Sequence, residues 1–321
     1  MKSSQIPLFP DVGGLPSLRD VADAVRDAGL TGLPDARRRA DDARYQEVQV
    51  RGAITRAHGM PFKWALNPYR GCTHACEYCY ARKYQRHLAL GASDDFSTVI
   101  LVKTNLPEVL ARELSRSSWT REAIAIGTAT DPYQPIEGHY QLTRRSIEIC
   151  ARTSTPVSIV TKGPMIVRDI DVLAQLAGRA SCRIFVSVPS VDEDAWATLE
   201  PGTASPLQRL RAVRQLMDAG LDASVLMMPL VPGITTSASA IERTFRAIAE
   251  AGVRFAGAGV ARLDAGVREH FVAFLAREYP RLVDGYARLY TSQHASPRYA
   301  RDVQRVVETF AARFGVQGQQ A

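Results

Sequence analysis

From residue 61 onward, short apolar runs alternate with stretches whose apolar residues recur at helical spacing. The runs are KWALN (63–67), STVILVK (97–103), AIAIGT (123–128), VSIVT (157–161), RIFVSV (183–188), ASVLMM (223–228) and VRFAGAGV (253–260). They are mostly continuous rather than alternating, which predicts strands covered on both faces, as in a parallel sheet. Between them, PEVLARELSRSS, MIVRDIDVLAQLAG and PLQRLRAVRQLMDAG predict helices. The last has clear ends: Ser205 as cap, Pro206 at the first position and Gly220 as terminator, with Leu207, Leu210, Val213, Leu216 and Met217 along one side. SASAIERTFRAIAEAG repeats the design and ends in Gly252.

Repeated β–α units of this length predict an α/β fold with right-handed crossovers. Six or seven units point to a partial (β/α)6-type TIM barrel, a pattern shared with an open doubly wound sheet. The expected organisation is an N-terminal extension over 1–58, with one short helix in SLRDVADAVRDAG, a barrel core over 59–262, and a helical C-terminal extension over 263–321. In a barrel, function gathers at the carboxyl ends of the strands. The segments expected there are NPYRGC, KTN, GTATDPYQPIE, TKGP, SVPS and MPLVPGITT. Glycine, hydroxyl groups and single charges dominate them, as in a polar small-molecule pocket.

Composition narrows the class. No run approaches the ~20 apolar residues of a membrane helix, and MKSSQIPLFPDVGG lacks the apolar stretch of a secretory signal, so a cytoplasmic protein is expected. The net charge is +7, and only five of the 40 basic residues are lysines. A basic surface suits nucleic acid, yet no basic block marks a binding tail, so solvated helix faces are the favoured account of the charge. Five cysteines are too few, and odd in number, for a disulfide scaffold. Cys150 and Cys182 fall in predicted apolar elements and read as small buried residues.

The other three crowd into NPYRGCTHACEYCYAR as Cys72, Cys76 and Cys79. Clustered thiols point to metal. A structural zinc site needs a fourth ligand to close its tetrahedron. No fourth cysteine is near, His74 sits too close between the first two cysteines to ligate without strain, and His58 and His87 are within reach in sequence. An iron–sulfur cluster held by three thiolates would keep one iron open to a substrate or cofactor. A non-catalytic, zinc-stabilised nucleic-acid-binding protein is the alternative reading.

The motif Cys72-Thr-His-Ala-Cys76-Glu-Tyr-Cys79-Tyr80 resembles the cluster motif of the radical S-adenosylmethionine (SAM) superfamily. VKTNLPEVLARELS, GTATDPYQPIEGHYQLTR, VTKGPMIVRDIDVLAQLA and LEPGTASPLQRLRAVRQLMDAG are similar to its spore photoproduct lyase branch, over about residues 60 to 290. The resemblance implies a 4Fe–4S cluster on Cys72, Cys76 and Cys79, with SAM chelating the fourth iron. Reductive cleavage of SAM would then give a 5′-deoxyadenosyl radical that abstracts hydrogen from substrate. It also implies an external electron donor of flavodoxin or ferredoxin type. The substrate is left open between a nucleic-acid lesion, a peptide and a small metabolite.

By the same resemblance, Lys162 would meet the SAM carboxylate. Thr130 and Thr128 would bond its methionyl part, and Asp131 would accept from the amine or orient the loop. Ser187 would stand near the ribose or carboxylate, Tyr80 would flank the adenine, and Val231, Gly233 and Ile234 would contact it. Two departures stand out. VKTNLP lacks the Gly-Gly-Glu motif that many members carry after the second strand. The segment GTATD lacks the cysteine that returns hydrogen in spore photoproduct lyase, which makes Tyr133 the substitute donor expected nearby.

Overall fold

Six of the seven apolar runs form consecutive parallel strands of one sheet. The computed structural model describes residues 43–88 and 95–316; the helix expected in 17–29 lies outside them. The larger sheet has the order β10-β9-β8-β7-β6-β3-β2. Its parallel strands are β3 (Trp64–Leu66), β6 (Ile124–Ile126), β7 (Val157–Thr161), β8 (Cys182–Ser187), β9 (Asp222–Leu230) and β10 (Phe255–Val260). β2 (Ile54–Arg56) closes one edge antiparallel to β3. The protein is a partial (β/α)6 barrel.

The seventh run, STVILVK, departs from the expectation of a barrel strand. It forms β5 (Val99–Lys103) in a separate sheet, between β1 (Arg44–Val48) and the two-residue β4 (Tyr69–Arg70). The second barrel strand is therefore β6, and the segment following it is Gly127–Asp131 rather than VKTNLP. β1 and β2 come from residues assigned above to the N-terminal extension.

The helices cover one face of the sheet. They are α1 (Leu106–Leu114), α2 (Leu142–Arg152), α3 (Ile170–Ala177), α4 (Pro206–Asp218) and α5 (Ala238–Glu250). Ile126, Ile159, Ile184, Val225 and Met227 meet Leu110, Ile147, Leu173, Val213 and Phe245 in one core with no exposed surface on any of them. The other face is only partly covered. Ser158, Val160, Phe185, Ser224 and Leu226 all keep some exposure, which corrects the reading of strands buried on both sides. Continuous apolar sequence here reflects a concave wall that is apolar without being sealed.

Helix α4 begins as its sequence predicts. Ser205 Oγ accepts from Gln208 N and the Gln208 side chain accepts from Ser205 N, a capping box with Pro206 in the first turn. Its buried side differs by one residue from the prediction: Leu207 is 50% exposed and Arg209 is wholly buried. Arg209 is drawn inward by a carboxylate described below.

After β10 the chain is helical: α6 (Val267–Glu278), α7 (Val283–Leu289) and α8 (Pro297–Phe314). Helix α8 packs on the sheet-side core through Val303, Val307 and Ala311. Helices α6 and α7 instead build a second core with the cysteine loop. Among the described residues, no helix is long and apolar enough to cross a membrane.

Candidate active site

Cys72, Cys76 and Cys79 occupy the loop that follows β3 and β4, at the carboxyl end of the parallel sheet. Gly71 makes the turn into it, with φ of +84° and a virtual Cβ only 2.5 Å from Val99 O, so no larger residue fits there unstrained. Cys72 and Cys76 are buried, Cys79 is partly so, and all three are free thiols. Arg82 braces the turn from inside. Its Nε donates to Cys76 O and its Nη2 to Ala75 O, each at 3.0 Å, while the guanidinium lies 5.1 Å from the Phe96 ring centre. The segment after residue 199 closes on the loop from the other side: Glu77 N donates to Leu199 O, and Gly202 N to His74 O.

The segments following neighbouring strands converge on this loop. After β6, Thr130 Oγ1 donates to Gly71 O at 2.6 Å. Asp131 is saturated by protein donors: Oδ1 accepts from Tyr133 N and Thr161 Oγ1, and Oδ2 from Lys162 N, with His74 Nδ1 3.3 Å from Oδ2. Burial works against its charge, but His74 and these hydrogen bonds hold the carboxyl down to about 2. Thr128 is tied to Asn67, and its carbonyl accepts from the Tyr80 hydroxyl. The hydrogen-bonding capacity of Thr130 and Asp131 is thus spent in holding segments together, which places both in the frame of the site.

Lys162 follows β7, with its backbone fixed by Asp131. Its Nζ stands 4.0 Å from Glu200 Oε1 and 5.5 Å from the Tyr78 ring centre. Burial opposes its charge, yet Cys76 and Glu200 beside it raise the ammonium above its ordinary value. Burial in turn pushes the Cys76 thiol up to about 12, with Lys162 pulling the other way. Glu200 also accepts from the Tyr78 hydroxyl and from Arg209 Nη2. Arg209 further donates to Ala204 O, Thr203 Oγ1 and Ser187 O. The Glu200–Arg209 pair was absent from the sequence expectations. Its signal was a lone arginine on the inward stripe of an otherwise apolar helix face.

Ser187 ends β8 at 4% exposure, and no partner for its hydroxyl is found among the described residues. After β9, Val231 and Ile234 join Cys76, Tyr78 and Cys79 in the second core, with Leu263, Phe271, Phe274, Tyr286 and Tyr290 from the C-terminal region. Gly233 takes φ of +75°, and Leu282 lies 3.0 Å from its virtual Cβ. His270 Nε2 lies 2.6 Å from Glu77 Oε2, joining α6 to the loop. Tyr133 is the predicted residue that is not brought to the site. Its ring belongs to the sheet-side core with Leu66 and Ile124, and its hydroxyl faces Asp169, Glu137 and Arg168.

The donor set suits an iron–sulfur cluster. Three soft thiols lie close together, so that Cys76 and Cys79 add to the effect of burial in raising the Cys72 thiol; none is consumed in a disulfide, and a lysine ammonium stands beside Cys76. Among the described residues, no group of three His, Cys, Asp or Glu side chains is arranged to hold a single metal ion.

Comparison with known proteins agrees with this chemistry. A family model described as the radical SAM superfamily matches residues 66–248. An uncharacterized protein of Mycobacterium tuberculosis is 36% identical over 282 residues, covering 87% of this chain and 83% of that protein. The radical SAM Nalpha-GlyT isomerase of Pseudomonas phage M6 is 27% identical over 199 residues, or 60% of this chain and 39% of its own. The fold is similar to that of a spore photoproduct lyase variant, with a TM-score of 0.66 at 17% identity over 88% of this chain and 83% of the lyase. A form of that lyase with bound AdoMet and dinucleoside spore photoproduct gives a TM-score of 0.65 at 17% identity, covering 87% and 82%.

Proposed function

Because this chain belongs to the radical SAM superfamily and is a radical SAM enzyme, we propose that Cys72, Cys76 and Cys79 hold a 4Fe–4S cluster and that SAM binds beside it at the strand ends. When bound, the reduced cluster and SAM supply a 5′-deoxyadenosyl radical able to take hydrogen from a substrate carbon. The observation that carries the reading is one arrangement: three free thiols on the loop after the first barrel strand, with the Lys162 ammonium beside Cys76.

The chain's own residues divide the remaining work. Lys162 offers the cation for the SAM carboxylate, held in place by Glu200 and by its backbone bond to Asp131. Ser187 contributes a hydroxyl with its hydrogen bonds still to make. Tyr80, Val231, Gly233 and Ile234 form the wall assigned to the adenine. Thr128, Thr130 and Asp131 keep the cysteine loop and the ends of β6 and β7 in register. The apolar residues of α6 and α7 exclude water from the loop, which protects a radical from quenching. No hydrogen-donor role is assigned to Tyr133, whose hydroxyl faces the core.

The zinc-stabilised, non-catalytic alternative is not retained, since the family match spans the barrel itself. For the substrate, a nucleic-acid component is favoured by the dinucleoside bound in the similar lyase, and the net charge of +7 is compatible with it. Binding to DNA or RNA that weakens steeply with salt supports this class, and no binding at low salt removes it. An electron carrier of flavodoxin or ferredoxin type completes the system.

The test of the reading is direct. Protein reconstituted anaerobically with iron and sulfide should show a 4Fe–4S EPR signal on reduction. SAM should perturb that signal, and 5′-deoxyadenosine should be released. Fully loaded, reduced protein that leaves SAM intact would overturn it.

A further inference from the structure

Gln134 lies in the turn after β6, has no exposed surface, and had no role in the sequence expectations. Its side-chain amide spans both residues that flank Cys72. Thr73 N donates to Oε1 at 3.1 Å, and Nε2 donates to Gly71 O at 3.3 Å. The same Nε2 donates to Thr130 Oγ1 at 2.9 Å, and Thr130 Oγ1 donates to Gly71 O at 2.6 Å. Cys72 N itself donates to Phe96 O at 2.9 Å. The peptide groups on either side of Cys72 are therefore anchored to one rigid planar group and one hydroxyl.

Only an amide offers this combination. It presents an acceptor and a two-hydrogen donor in one plane, and here both ends are used within a completely buried space. A carboxylate would keep the acceptor for Thr73 N but would set an oxygen against Gly71 O. Cys76 has its own brace in Arg82, which bonds the carbonyls of Ala75 and Cys76. In both cases a buried side chain from outside the cysteine triplet holds main chain, leaving the sulfur free.

We propose that Gln134, with Thr130, is a positioning residue that fixes Cys72 in its cluster-binding geometry before any cluster arrives. The inference rests on the reading that the three cysteines are the cluster ligands. Its consequence is that this part of the apo loop is already formed, so that cluster assembly needs little ordering of the chain around Cys72. Loss of the amide frees the backbone around Cys72, lets the thiolate adopt several orientations, and broadens or shifts the electronic signature of the cluster.

The experiment compares wild type, Gln134→Ala, Gln134→Glu, Thr130→Val and Thr130→Ser after anaerobic reconstitution with iron and sulfide. The readouts are iron and sulfide per chain, the EPR line shape of the reduced cluster, the rate of iron release to a chelator, and the melting of the apo-protein. Expected are iron release about tenfold faster and an altered EPR line shape in Gln134→Ala and Gln134→Glu. Thr130→Val should move the same way, and Thr130→Ser should return to wild type because it keeps the hydroxyl. Wild-type EPR and iron release in both Gln134 variants would overturn the proposal. If Gln134→Ala does not fold, the Thr130 pair decides by the same criteria. A wild-type protein that takes up no cluster would instead defeat the functional reading, so the two failures are distinguishable.

Discussion

Lys162 Nζ and Arg209 Nη2 reach opposite oxygens of one buried carboxylate, that of Glu200; the lysine stands 4.0 Å from Oε1. One anion thus serves two cations, and the trio carries a net positive charge toward Cys76. Burial opposes ionisation of Glu200, but Arg209 and Lys162 lower its pKa below the ordinary value and keep it charged. Removing the carboxylate strands both cations. Glu200→Gln should destabilise the apo-protein by about 3–5 kcal/mol, the usual cost of breaking a buried ion pair from one side. Urea unfolding at pH 7 measures it, and a loss within error of zero would show that the pair is compensated from elsewhere.

Lys162→Met keeps most of the side-chain volume and deletes the cation assigned to the SAM carboxylate. SAM affinity of the cluster-loaded protein should fall at least tenfold, the scale of one lost charge-assisted hydrogen bond. Equilibrium dialysis with SAM reads the change. Unaltered affinity would move the carboxylate site away from the end of β7.

Gly202 sits against the cysteine loop so closely that a virtual Cβ lies 2.2 Å from Thr73 O and 3.0 Å from His74 Cα. Both obstacles are main chain and cannot swing aside. Gly202→Ala should therefore displace the loop, destabilise the protein by about 1–3 kcal/mol as overpacking does, and lower iron retention after reconstitution. Gly220→Ala is a useful contrast, since φ of +78° strains alanine there while no atom lies within 4 Å of the virtual Cβ. It should lose stability and keep iron.

Lys103 gives a dependence on pH. Burial, helped by Arg70, lowers its ammonium from the ordinary value to about 8, while Nζ donates to Asn67 O at 2.6 Å. The folded state therefore binds this proton less tightly than the unfolded chain. Below about pH 8 both states hold it and the full penalty is present. Between about pH 8 and 10.5 only the unfolded chain holds it, so rising pH relieves the penalty. Relative to Lys103→Met, wild type should gain up to about 3 kcal/mol across that window. Denaturant titrations at pH 7.5 and 10 should show it; a stability difference that does not change with pH would exclude the shift.

The parallel core was legible because strand and helix periods differ strongly over 123–260, and helix ends such as Ser205-Pro206 carry local chemistry. STVILVK was misplaced because an apolar run looks the same in a barrel and in a small accessory sheet. β1, with the sequence RYQEV, escaped notice because it is mostly exposed and has no apolar run. In the site, the three cysteines were legible from spacing and Lys162 from its strand-end position. Gln134, Glu200 and Arg209 were not, because a polar side chain becomes an internal brace only when tertiary packing buries it. Leu207 shows the converse: helical spacing placed it on the inner side, but in the packed helix it is exposed.

The union of the cysteine loop with α6 and α7 sets an order of events during synthesis. Glu77 and its partner His270 lie 193 positions apart, and Cys76 and Tyr78 share their core with Tyr286 and Tyr290. Chains are made from the N-terminus, so the thiols emerge from the ribosome long before the aromatic residues that cover them. The barrel can begin to assemble while its cysteine loop is still open on that side. A cluster held by these cysteines, as proposed, would have a natural window for insertion, ending when the last helices dock.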